Sequence, residues 1–105
     1  MPKVAAIKVS TPVIVETAVR VFGSAVKVQL IKHYMTSPGT SAEAAAALGV
    51  ATRSVYNNTI ELVEAGVVIE EPADDKRMRI CRVDSARVDE LLGALREFAI
   101  GEKSS

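Results

Sequence analysis

Apolar residues recur at helical spacing along most of the chain. The pattern is broken at a few short points: Gly23-Ser24, Ser37-Pro38-Gly39, Leu48-Gly49-Val50, Ala65-Gly66 and the stretch from Pro72 to Asp75. These breaks cut the chain into segments of helix or strand length. Residues 3–22 are rich in β-branched side chains and admit two readings. Alternation puts Val13, Val15, Thr17, Val19 and Val21 on one side, as in a strand, while Val15, Ala18, Val19 and Phe22 fall at helical spacing. The balance favours an extended stretch at 3–10 and a helix from about Pro12, with Thr11 as its cap and Pro12 as its first residue. Either way the arm 1–22 is apolar enough to need a packing partner, in this chain or in another.

Residues 24–35 read as a helix capped by Ser24. Val28, Ile31 and Met35 form its apolar stripe, with Leu30 and Tyr34 beside it and Lys27, Gln29 and Lys32 on the wet side. Residues 41–48 form a second helix, with Ser41 as cap, Glu43 in the first turn and a smooth run of alanines. Gly49 supplies the left-handed turn that only glycine adopts cheaply. A third helix follows at 52–65, its buried stripe made of Val55, Thr59, Leu62 and Val63. Residues 67–83 read as a β-hairpin: a strand at 67–71, a turn at 72–75 and a return strand at 76–83. On that return strand Met78 and Ile80 share one face, and Arg77, Arg79 and Cys81 the other. Asp84 or Ser85 caps a last helix running to residue 100, and residues 101–105 form a loose tail.

Two helices joined by a tight turn, at 41–48 and 52–65, have the spacing of a helix-turn-helix, whose second helix can enter the major groove of DNA. The face of that helix opposite Val55, Thr59 and Leu62 holds Thr52, Arg53, Ser54, Tyr56 and Asn57, with Asn58 nearer the edge. An arginine can fork onto guanine O6 and N7, an asparagine onto adenine N6 and N7, and hydroxyls reach phosphates. The acidic Glu61 and Glu64 are confined to the far end, which suits a helix entering the groove by its N-terminus. Ser41 at the start of the preceding helix, and Lys76, Arg77 and Arg79 on the hairpin, are further candidates for backbone contact. Asp74 and Asp75 at the hairpin tip oppose that role.

Charge narrows this picture. The 105 residues carry 13 basic and 13 acidic groups. Residues 1–60 hold six basic against two acidic groups, and residues 61–105 hold seven against eleven. A duplex responds to the local field, so neutrality does not exclude a DNA surface, but it argues against strong non-specific binding. A single cysteine, Cys81, and a single histidine, His33, exclude an internal disulfide and a multi-cysteine metal site, and leave no catalytic set to assemble. No cofactor, no metal and no enzymatic activity are expected. With no signal-peptide pattern and no apolar run of spanning length, the expected setting is cytoplasmic, without a membrane partner.

The order of elements, together with LGV…SV…L…AGVV around the turn and VFGSAVKVQLI before it, resembles the winged helix-turn-helix regulators of the ArsR and MarR type. The resemblance covers about residues 19–98. It implies a dimeric transcriptional regulator with DNA contacts on Thr52, Arg53, Ser54, Tyr56 and Asn57 and on a wing at 76–79. Three departures stand out. Ala51 occupies the usual Ser/Thr cap position, so the cap is expected to move to Thr52. Thr59 replaces a core leucine and should loosen that packing. AEAAAAL stands where metal-sensing members carry cysteines.

The expected fold is therefore mainly α with a small β-hairpin wing, a winged helix-turn-helix spanning 23–83, followed by a C-terminal helix at 84–100. Val88, Leu91, Leu92, Leu95 and Phe98 on that helix form a stripe that closes over the domain or pairs with a second copy, and the dimer is preferred. The expected partners are double-stranded DNA and a second copy of the chain; no effector ligand is legible. The expected function is a sequence-specific DNA-binding regulator, a repressor by resemblance. The alternative is a winged-helix module for protein contacts that does not bind DNA.

Overall fold

The computed structural model describes residues 10–75 and 77–101, so the expectations for residues 3–9, for Lys76 and for residues 102–105 lie outside it. The described chain runs α1 (Val13–Phe22), α2 (Ala25–Thr36), α3 (Ser41–Leu48), α4 (Thr52–Glu64), β1 (Val68–Pro72), β2 (Arg79–Val83) and α5 (Ser85–Ile100). The strands pair antiparallel, Val68 opposite Val83 through Pro72 opposite Arg79. A short bridge between Gly39 and Cys81, closed by bonds of 3.1 and 2.7 Å, fastens the hairpin to the α2–α3 connection.

The helical reading of the arm holds for α1 and the strand reading does not. Pro12 is the cap residue rather than the first helical one, and no side chain caps this end. Val15, Ala18 and Val21 are buried, whereas Val19 faces out, because α1 is wedged between α2 and α5 and needs apolar residues toward both.

α2 corrects the sequence reading more sharply. Ser24 caps it as expected, accepting from the Lys27 amide at 3.2 Å. Its buried face, however, is Lys27, Leu30 and Tyr34, while Val28 and Met35 stand 44% and 47% exposed. The stripe is rotated because two polar side chains on this face find partners on α4. A hydropathy pattern counts lysine as wet and cannot see such a partner.

The cap of α3 is Thr40, not Ser41, which is the first helical residue. The Thr40 hydroxyl accepts from the Glu43 amide at 3.1 Å, and the Thr40 amide donates to Glu43 Oε1 at 2.9 Å. This reciprocal capping box satisfies two amides that the first turn leaves without partners. Gly49 ends the helix at φ 66°, the left-handed conformation that the turn requires. The cap of α4 does not move to Thr52: Ala51 is the cap residue, Thr52 is already helical, and no side chain caps this end. The helix ends in a Schellman motif, Val67 N–H to Leu62 C=O and Gly66 N–H to Val63 C=O, both 2.9 Å, with Gly66 at φ 83°.

The core gathers Leu30, Tyr34, Val55, Leu62, Val67, Cys81 and Leu91. Thr59 does not loosen it, since its hydroxyl lies 3.0 Å from the Tyr34 hydroxyl, and among the described residues no buried side-chain polar atom lacks a partner. Asp84 caps α5, accepting from the amides of Ala86 and Arg87. Leu91 is fully buried within its own chain and so closes the fold rather than facing a second copy, while Val88 and Leu95, partly buried, pack against the same core. Leu92 and Phe98 remain exposed.

Candidate nucleic-acid interface

α4 is held from behind and at its C-terminal end, which leaves its first two turns open. Val55, Thr59 and Leu62 face inward. Behind them, α2 contributes two polar links: Tyr34 to Thr59, and Lys27 Nζ to Glu61 Oε1 at 2.7 Å. At the C-terminal end Arg87 Nε donates to the Ala65 carbonyl at 2.8 Å, placing a positive group where the helix dipole is negative.

The opposite face carries Thr52, Arg53, Tyr56 and Asn57, all exposed, with Ser54 and Asn58 half-buried. Arg53 and Asn57 lie one turn apart on the same side. Among the described residues, neither side chain makes a hydrogen bond or ion pair. Asn58 is different. Its amide nitrogen donates back to the Ser54 carbonyl at 2.8 Å and approaches the Ser54 hydroxyl at 3.4 Å, so this pair is partly committed within the helix.

A cleft of about 250 Å³ opens beside this face, between the start of α3, the side of α4 and the hairpin. Ser41, Tyr56, Arg77 and Arg79 line it, so the structure brings four of the candidate residues together from three elements. Thr52, Arg53 and Asn57 lie outside the cleft lining. Glu70 lines it as well, and Asp75 sits 3.6 Å from Arg77 Nε and accepts from the Arg77 amide at 3.1 Å. Arg82 pairs with Glu71 at 3.3 Å instead of joining the cleft. With two arginines and one glutamate in its lining the cleft is mildly basic; Arg77 is paired with Asp75, whereas the Arg79 side chain makes no ion pair among the described residues.

Beneath it the chemistry is quiet. Burial pushes the Tyr34 phenol from 10.0 to about 12, against the hydrogen bond with Thr59 that pulls the other way. Burial, with the Glu70 charge adding, also raises the Cys81 thiol, so it stays protonated and unreactive at neutral pH. Lys27 holds the Glu61 carboxyl below its ordinary value by hydrogen bonding and by charge, so Glu61 stays ionised at neutral pH with its charge paired to the Lys27 ammonium.

Three structural contributors went unseen in the sequence: Thr40, Lys27 and Arg87. Thr40 was signalled by the T-x-x-E spacing to Glu43. The other two act through partners on distant segments, and nothing local marks them.

Neither a family model nor a curated protein matches this sequence. Solved structures do match. A protein described as a possible transcriptional regulator for arsenical resistance superposes with a TM-score of 0.64 at 18% identity, over 84% of this chain and 98% of that one. A transcriptional regulator from Thermotoga maritima superposes with a TM-score of 0.57 at 17% identity, over 85% and 69%. The fold is the winged helix-turn-helix. In its terms α3 and α4 are the helix-turn-helix and β1 and β2 the wing. At these identities the likeness is one of architecture. Among the described residues, no group of three His, Cys, Asp or Glu side chains could hold a metal ion, and no helix is long and apolar enough to cross a membrane.

Proposed function

We propose that this chain is a sequence-specific DNA-binding transcriptional regulator, a repressor acting as a homodimer, without enzymatic activity. The observation that carries this is the first half of α4, where Arg53 and Asn57 are exposed, unpaired among the described residues and one turn apart. Two side chains that fork onto purine edges are thus offered to a groove at no cost in broken internal bonds. Thr52 and Ser54 supply hydroxyls to flanking phosphates. Ser41, Tyr56, Arg77 and Arg79 around the cleft take the neighbouring strand, and Lys76 joins them by its place in the sequence. Asn58, partly spent on Ser54, serves as a secondary contact. The solved regulators of the same fold support the regulatory role, and the repressor assignment follows the sequence resemblance to ArsR-type proteins.

Dimerisation is supported by the apolar groups that α1 and α5 leave uncovered: Val13, Val19, Leu92, Phe98 and Ile100. Such a dimer reads two half-sites about one helical turn apart, on the order of 34 Å.

A second reading, a winged-helix module for protein contacts, is favoured by two features. The formal net charge is zero, and Ile60 is exposed in the middle of the reading face. The two readings separate in a gel-shift with genomic fragments at low salt. Retained, competable fragments near about 50 mM salt, where electrostatic binding is strongest, support the regulator. No bound DNA under those conditions supports the protein-contact module.

A further inference from the structure

We infer that Lys27, together with Tyr34, is a positioning residue that sets the rotation of α4 about its own axis and so decides which side chains reach the base edges. This rests on the DNA-reading role proposed for α4.

Lys27 is an unusual member of a core. Its side chain is 8% exposed, and its ammonium meets Glu61 Oε1 at 2.7 Å. Two turns further along the same face of α2, the fully buried Tyr34 meets Thr59 at 3.0 Å. The two partners on α4 are two residues apart, hence about 200° apart around the helix. α2 therefore grips α4 at Thr59 on its inward face and at Glu61 on a different side. The apolar contacts of Val55 and Leu62 are non-directional and tolerate a small roll. A hydrogen bond and an ion pair on different sides of the axis do not, because a roll that shortens one stretches the other. With side-chain tips about 6 Å from the axis, a roll of about 20° moves a tip by about 2 Å, enough to break a bidentate contact to a base.

Stability alone does not account for the lysine. Taking the Lys27 ammonium out of water is costly, and an apolar replacement for a buried charge of a pair is often neutral or stabilising. Glu61 is 47% exposed and can be solvated when its partner is gone, so Lys27→Met leaves no orphaned buried charge and keeps most of the stem volume. The Ser24 cap fixes the backbone at Lys27, which makes its ammonium a defined anchor point.

The test compares the parent chain, Lys27→Met and the charge-exchanged double variant Lys27→Glu/Glu61→Lys. Each is measured on a duplex selected by the parent from random fragments and on an unrelated duplex, over a range of salt. Lys27→Met is expected to melt at or above the parent temperature and to keep its affinity and salt slope on unrelated DNA. Its preference for the selected duplex falls by about tenfold, of the order expected when one base contact is misplaced. The exchanged pair restores part of that preference. An unchanged preference in Lys27→Met overturns the inference, as does a parallel fall in melting temperature and in both affinities.

A readout without DNA keeps this separate from the regulator reading. In Lys27→Met the Cα–Hα residual dipolar couplings of α4, whose bonds point across the helix axis and so sense a roll, are expected to shrink relative to those of α2 and α3. Identical α4 couplings overturn the inference whatever the chain binds. If the parent selects no DNA at all, the regulator reading fails, and the couplings still decide whether Lys27 orients the helix.

Discussion

Tyr34 and Thr59 share a hydrogen bond in a place where neither side chain reaches water, and the cost of breaking it is set by the group left behind. Tyr34→Phe leaves the Thr59 hydroxyl without that partner and is expected to lower stability by about 1–2 kcal/mol in chemical denaturation. Adding Thr59→Val removes the orphan, so the double variant should be more stable than the sum of the single effects allows. The same burial predicts a pH dependence. The phenol is raised from 10.0 to about 12, so its contribution is complete below pH 10 and is lost as the pH climbs toward 12. Phenolate absorbance of the parent should show one of the two tyrosines ionising only near the upper end, and Tyr34→Phe should lose that step. At this scale the sequence was only partly legible. Val55, Thr59 and Leu62 were placed inward by helical spacing alone, and Arg53 and Asn57 outward by the same count. Lys27 was placed on the wrong side, because its burial depends on Glu61, 34 positions along the chain, and spacing within one helix carries no information about it.

At the scale of elements, punctuation residues do most of the work. Gly49 and Gly66 hold positive φ and fix where α3 and α4 end, and both were readable as breaks in the pattern. A Cβ at Gly49 would meet nothing within 4 Å, so Gly49→Ala isolates the backbone strain itself. It should cost about 1–2 kcal/mol in thermal or chemical unfolding while leaving the packing intact. Thr40→Ala, which dissolves the capping box at the start of α3, should cost about 1 kcal/mol in the same measurement. Strand ends and caps were the least legible features. The hairpin turn is wider than the Pro72-to-Asp75 break implied, with β2 beginning at Arg79. The cap of α3 fell one residue earlier than the first serine suggested, because Thr40, not Ser41, has the spacing to Glu43.

At the scale of the whole molecule, the proposed DNA reading and the proposed dimerisation fall on two separate surfaces. α3, α4 and the wing hold the groups suited to DNA, while α1 and α5 pack together and leave Val13, Leu92, Phe98 and Ile100 uncovered. The C-terminal stripe was legible in the sequence as one apolar face. Its division into an inner set, Val88, Leu91 and Leu95, and an outer set, Leu92 and Phe98, was not, because it depends on where α1 lies. If the outer set joins two copies, Leu92→Glu/Phe98→Glu should yield a folded monomer in sedimentation or light scattering, with its melting temperature no longer dependent on concentration. Selective DNA binding should weaken strongly as the second half-site is lost. The near balance of charge predicts modest affinity for unrelated duplexes, so discrimination has to come from base contacts.

Those contacts are tested most directly by the affinity of Arg53→Ala and Asn57→Ala for the duplex the parent selects, measured beside their melting temperatures. Each change is expected to cost about 1–3 kcal/mol of selective binding, with stability within about 0.5 kcal/mol of the parent because both side chains are exposed. If both variants bind that duplex as tightly as the parent does, α4 is not the reading helix.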